Sequence, residues 1–246
     1  MKCYSLITCL FMILSLSGIA SAQVVISPEE AASPTNFYVT YNGTSTVDTD
    51  QETVMAFFGV GKSVYTMGTN TYAWGNVQGA MEFDLGAVPA TFTSENFTAK
   101  LGGVNVNSSF LIYQTGAINV DLYDMGDATE NGAVEYADFN STRGDRIQRR
   151  AHDFAGTNNA NFDEIDVTCA VRRDLFGDGQ TDYSGFILKS PDAEFIQGLW
   201  YDASAPTLTI TPGVAGPDCP DDGDGSGGGS GGGSSGGPCF IVTVAH

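Results

Sequence analysis

Residues 127–138 read DATENGAVEYAD, and their types are those of a loop that wraps a hard cation. A twelve-residue calcium loop places side-chain oxygens at positions one, three, five, nine and twelve, a backbone carbonyl at seven and a turn-making glycine at six. The donors here would be Asp127, Thr129, Asn131, the Ala133 carbonyl, Glu135 and Asp138, with Gly132 at the turn. An all-oxygen set suits Ca2+ rather than a soft metal. Position three is Thr, however, and position twelve is the shorter Asp. A strand-like segment also precedes the loop, where an EF-hand has its entering helix. Two readings stay open: a loop of a β-domain that holds a structural calcium, or a polar turn built from the same residue types. A second acidic turn, GDGQTD (177–182), offers Asp178 and Asp182 in a similar setting.

Large aromatics near loop signals are the other residues with chemistry to offer. Tyr72 and Trp74 lie in TNTYAWG, and Trp200 and Tyr201 in GLWYD. Open rings of this kind stack on the apolar face of a sugar while neighbouring Asp and Asn take its hydroxyls, whereas closed ones fill a core. Catalysis finds little footing. His152 and the terminal His246 are the two histidines, no zinc-hydrolase HExxH occurs, and GxSxG is matched only within the Gly/Ser tail, a linker with no strand or helix beside it to make a nucleophile elbow. The RGD at Arg143 to Asp145 is three residues long and recurs by chance. The basic residues after it, Arg146, Arg149 and Arg150, read as a local counterweight to an acidic surface.

The elements that must position these residues are short strands. FYVTY (37–41), VMAFFGV (54–60), AMEFDL (80–85), FLIY (110–113), INVDLYDM (118–125), GFILK (185–189) and PTLTITP (206–212) are β-branched and aromatic runs between Gly, Asn, Asp and Ser clusters. In INVDLYDM, Ile118, Val120 and Leu122 fall on one face and Asn119, Asp121 and Tyr123 on the other, so one face is buried and one wet. Only VTCAVRRDLF (167–176) has a helical period. The pattern predicts an all-β, antiparallel, jelly-roll-like β-sandwich over 23–212 with one short helix.

The ends of the chain are of a different kind. Residues 1–22, MKCYSLITCLFMILSLSGIASA, place Lys2 before an apolar run and close on small residues, the plan of a secretory signal peptide cleaved near Ala22. The apolar run is too short to span a membrane, and no later segment is longer. Its removal changes the net charge from −19 to −20, a field that repels nucleic acid and anionic membrane. Residues 213–237 form an acidic Gly/Ser linker, expected to be disordered, and 238–246 a short apolar tag. Three cysteines follow the signal. Cys219 and Cys239 flank the linker and are able to pair, whereas Cys169, among apolar residues in DEIDVTCAV, reads as a buried small hydrophobe.

Several motifs follow one another in a recognisable order: MEFDLGAVPATFTSENFTAKL (81–101), INVDLYDM, IDVTCAVRRDL (165–175), YSGFILK (183–189) and APTLTITPG (205–213). Over roughly 36–212 this order resembles the secreted DNRLRE-type domains, which are similar to carbohydrate-binding modules of family 96. The tail PCFIVTVAH looks like a shortened CFI-box segment. The resemblance implies a jelly-roll sandwich exported to the cell surface, non-catalytic, whose partner is a polysaccharide or a cell-envelope component. The competing expectation is a structural or adhesive envelope protein with a protein partner. A carboxylate-dependent glycoside hydrolase or lyase is the weakest of the three, since any two carboxylates in so acidic a chain could meet.

Overall fold

The computed structural model describes residues 23–41, 51–55, 58–67, 70–93, 96–107, 117–126, 129–139, 141–153, 159–177, 180–191, 198–213 and 216–219. The signal segment, FLIY, Asp127, Asp178, Cys239 and the Gly/Ser tail lie outside them.

Alternation along INVDLYDM becomes a strand with one dry face. Ile118, Val120 and Leu122 are fully buried, while Asn119 and Tyr123 are half-buried on the opposite side. This strand, β8 (Ala117–Asp124), belongs to the larger of two antiparallel sheets. Earlier come β1 (Val24–Ile26), β2 (Glu30–Tyr41), β3 (Gln51–Met55), β4 (Phe58–Met67), β5 (Asn70–Val77), β6 (Gly79–Asp84) and β7 (Phe97–Gly102). Later come β9 (Arg143–Asp153), β10 (Ile165–Asp166), helix α1 (Thr168–Phe176), β11 (Tyr183–Lys189), β12 (Gly198–Tyr201) and β13 (Thr207–Pro212). The smaller sheet runs β1-β13-β7-β10, and the larger β12-β4-β5-β2-β6-β11-β8-β9, with β3 joined to β2.

Inward residues of the two sheets form one core. Ile26, Phe97, Leu101, Leu208 and Ile210 of the small sheet meet Met81, Phe83, Val120, Leu122, Phe186 and Leu188 of the large one. Burying each such side chain contributes about 1.5–3 kcal/mol, so this interface is the main source of stability. The antiparallel sandwich expected from the strand pattern is the observed architecture.

Two local features explain how α1 is held. Asp166 Oδ1 accepts the Thr168 N–H at 2.9 Å at the start of the helix, and the buried Thr168 Oγ1 accepts the Ala99 N–H of β7 at 2.9 Å. The DVT turn thus pins the helix to the small sheet. At its far end Gly177 approaches the Arg173 carbonyl so closely that a Cβ there would lie 2.5 Å from it.

Cys169, expected to be an unpaired hydrophobe, is instead disulfide-bonded to Cys219, with Cα atoms 5.3 Å apart and 50 residues between them in sequence. The chain beyond β13 runs along α1, where Arg172 donates to the Pro217 carbonyl at 3.1 Å. That return brings the two thiols together. The polar segment after β8 is likewise more than a counterweight: it includes β9, the edge strand of the large sheet. Its charged residues keep that edge from pairing with other chains.

Candidate functional site

The outward side of β6 and β11 is where the acidic loop goes. Register places Glu82 opposite Gly185 and Ala80 opposite Ile187, so these residues share the face turned away from the core. Residues 129–139 cross this face as a strap. Val134 and Met125 pack with Ala32, Ala80 and Ile187 into a second, small apolar cluster. The strap's backbone N–H groups are held by carboxylates. Glu82 Oε2 accepts from Asn131 at 2.8 Å and Gly132 at 2.6 Å, and Glu30 Oε2 from Val134 at 3.0 Å. Within the strap, Asp138 Oδ2 accepts from Glu135 at 2.6 Å. Gly132 is in the left-handed region, φ 88°, and a Cβ there would lie 2.5 Å from the Tyr183 ring. Only glycine allows the strap to lie this close.

Burial sets the electrostatics of the strap. Glu82 and Asp138 are each fully buried, and Glu82 Oε1 and Asp138 Oδ1 have no hydrogen-bond partner. Burial pushes the Glu82 carboxyl up to about 7, and the nearby charges of Asp138 and Glu30 raise it further against the two N–H bonds that lower it. Asp138 is pushed up to about 6, again chiefly by burial.

Five of the six residues expected as calcium ligands are described, and the side chains of three of them take part in hydrogen bonds of the strap and its flanks. Asp127 lies outside the described residues. Thr129 Oγ1 bonds the Gly126 carbonyl at 2.8 Å and Ser141 Oγ at 2.6 Å. Asn131 Oδ1 accepts the Ala133 N–H at 3.0 Å. Ala133 and Glu135 are exposed, whereas Asp138 is buried. The strap mainly offers N–H groups to carboxylates that come from the sheet.

Carboxylates converge elsewhere. Ligand oxygens of Asp124, Glu130 and Asp174, all buried, lie within 4.8 Å of one another and could hold a metal ion. Asp124 ends β8 on the inward side, Glu130 opens the strap and Asp174 comes from α1. The Arg173 guanidinium pairs with Asp124 and lies 3.9 Å from Asp174. Ser184 Oγ donates to Asp174 Oδ2 at 2.6 Å, and Glu130 Oε1 accepts the Gly185 N–H at 2.8 Å. Sequence reasoning missed this cluster because its members come from three segments that no local pattern brings together. The twelve-residue calcium-loop pattern drew attention to the neighbours of Glu130 instead.

The aromatic candidates separate. Tyr201 is a core residue: it is buried, its hydroxyl donates to the Ala160 carbonyl at 3.1 Å, and its ring packs on Phe58 at 5.6 Å. Burial raises its pKa far above the ordinary value, and no sugar reaches the ring. Trp200 is half-buried in β12, opposite Gly59 of β4. Tyr72 and Trp74 are in β5, opposite Tyr65 and Ser63 of β4, and their side chains lie outside the described residues. His152 is buried in β9 opposite Ile118, where burial lowers its pKa against the opposing charge of Asp153.

A groove of about 250 Å3 is lined by Lys62, Gln78, Asp121, Tyr123, Phe139 and Lys189 among others. It had no signal in the sequence, since its walls come from five separate segments. Arg149 makes a bidentate pair with Asp121 at 2.6 and 2.7 Å, and Arg146 lies 3.6 Å from the same carboxylate. Lys189 Nζ stands 5.7 Å from the centroid of the Tyr123 ring, and burial lowers its pKa. Among the described residues no helix is long and apolar enough to cross a membrane. No family model matches the chain, and no curated protein matches it.

Proposed function

We propose that the chain is an exported, non-catalytic β-sandwich that binds a polysaccharide at the cell surface, and that the groove around Tyr123 is its binding site. One observation carries this reading. After the signal segment the chain has three lysines, Lys62, Lys100 and Lys189; two of them line this groove, beside Tyr123 and Phe139, and the third is paired with Glu164. Arg149 pairs with Asp121, and the two lysines bring cationic donors to the groove of a strongly acidic protein, so a sugar bearing a carboxylate or sulfate is its best occupant. Tyr123 and Phe139 supply faces on which a sugar ring can stack, while Gln78 and the lysines meet its substituents. The sequence-order resemblance to DNRLRE-type domains points the same way.

Affinity electrophoresis in gels containing acidic or neutral polysaccharide tests the proposal. The native protein is expected to be retarded by an acidic polymer, and Tyr123→Ala to lose about tenfold in affinity or more at unchanged fold, the effect of removing one stacked ring and its burial. No retardation on any polymer would reject the sugar reading. It would then favour a structural or adhesive protein whose partner is another protein.

For the acidic cluster we propose that calcium, the ion its all-oxygen donors suit, competes with the Arg173 guanidinium for the same carboxylates. Millimolar Ca2+ is expected to shift the native Tm by less than about 2 °C, and that of Arg173→Met upward by about 5 °C or more. Equal and negligible shifts in both proteins would mean that the cluster takes no calcium.

A further inference from the structure

Asn131 and Gly132 form an Asn–Gly pair at the crest of the strap, with Asn131 exposed to water. A backbone nitrogen can attack the amide carbon of the preceding asparagine side chain. The reaction is assisted when no side chain blocks the approach, when a base takes the N–H proton, and when a donor steadies the oxygen that becomes negative. Glycine meets the first condition, and contact with Tyr183 allows no larger residue there. Glu82 Oε2 accepts the Gly132 N–H at 2.6 Å, within proton-transfer reach. The Ala133 N–H donates to Asn131 Oδ1 at 3.0 Å, and that oxygen is the one that would carry the charge.

We propose that Asn131 is a self-modification site, at which the strap deamidates with Glu82 as general base and the Ala133 N–H as oxyanion donor. The bond from Gly132 N to Asn131 Cγ forms as Glu82 takes the amide proton. The Cγ–Nδ2 bond then breaks, and the nitrogen leaves as ammonia with the proton that Glu82 returns. Water opens the resulting succinimide at either carbonyl, leaving aspartate or isoaspartate at position 131. No oxidant or reductant is needed. The new carboxylate stands near Glu82, and the isoaspartate form also adds a backbone atom between the two N–H groups that Glu82 holds. Either product loosens the strap, so the site acts as a slow, one-way timer on the outer face of the sheet.

The test is incubation of the full-length protein at about 37 °C and neutral pH, with mass spectrometry of the peptide that carries Asn131. Asn42–Gly43, the chain's other Asn–Gly pair, is the internal reference. Asn131 is expected to convert about fivefold faster in the folded protein than in the same chain unfolded in urea, a modest share of what a positioned base can supply. Glu82→Gln, whose amide oxygen can accept the same two N–H bonds but cannot take a proton, is expected to slow Asn131 by about tenfold and leave Asn42 unchanged. If the bonds to Glu82 instead hold the Gly132 amide still, Asn131 will convert more slowly folded than unfolded, and the proposal fails. An unaltered rate in folded Glu82→Gln removes Glu82 as the base and overturns it equally. Should that variant not fold, the folded-against-unfolded comparison on the native chain decides alone.

Discussion

Acidification from about pH 8 to about pH 5 is expected to stabilise this protein by about 2 kcal/mol through Glu82 alone. The carboxyl has a pKa of about 7 in the folded chain against an ordinary value of 4.5. Below the ordinary value both states hold the proton, and the group contributes no pH dependence. Between the two values only the unfolded chain has released it, so the native state binds more protons and stability falls as pH rises. Above about 7 both are ionised, and the whole cost of a buried carboxylate is present. Asp138, raised from 3.8 to about 6, acts in the same direction over a lower window, and because the two carboxyls interact their contributions do not add. Urea midpoints at three pH values would measure the trend. Relief of self-repulsion in an acidic chain also favours low pH, so Glu82→Gln is the discriminating variant: its midpoint should vary less with pH than the native one. A native midpoint that falls on acidification over this range, or an identical slope in the variant, would refute this account of the strap.

Removing the Cys169–Cys219 bond should cost about 4 kcal/mol, the chain-entropy value for a loop of that length. In a domain of about 190 residues that corresponds to a fall in Tm of about 10 °C. The doubly substituted Cys169→Ala, Cys219→Ala protein should keep its far-ultraviolet circular dichroism, because the pairing of β13 with β1 and β7 does not pass through the bond. Reductant should lower the native Tm by a similar amount and leave the variant unaffected. A fall below about 2 °C would mean that the return of the chain along α1 holds without the covalent link.

What the sequence made legible was whatever repeats at short range. Ile118, Val120 and Leu122 alternate, so β8 and its dry face could be read directly, and VTCAVRRDLF gave α1 by its period. β9 has no apolar alternation to find, because an edge strand rich in Arg and Asp is defined by its partner β8 rather than by its own residues. Glu82 falls on the outward face of β6, which reads as wet. Its burial comes from a strap some fifty residues later in the chain, and no local pattern announces that. The acidic character of DATENGAVEYAD was plain, but the direction of its hydrogen bonds was not. Residue types list donors and acceptors without saying which of them a neighbouring strand will claim. Trp200 and Tyr201 show the same limit: adjacent residues of one short strand, one half-buried and one sealed in the core.

The disulfide also decides how this domain would bear a load. Tension applied beyond residue 219 does not reach β13 first, where it would peel Pro212 from Phe97 and then open the ladder rung by rung. It enters through Cys219 into Cys169 at the head of α1, and from there through Thr168 into Ala99 in the middle of β7. Force that would unzip an end strand is redirected into a helix seated on a central one. The crosslink thus works as a shackle, and the C-terminal segment can pull on the sandwich without unravelling it from its last strand.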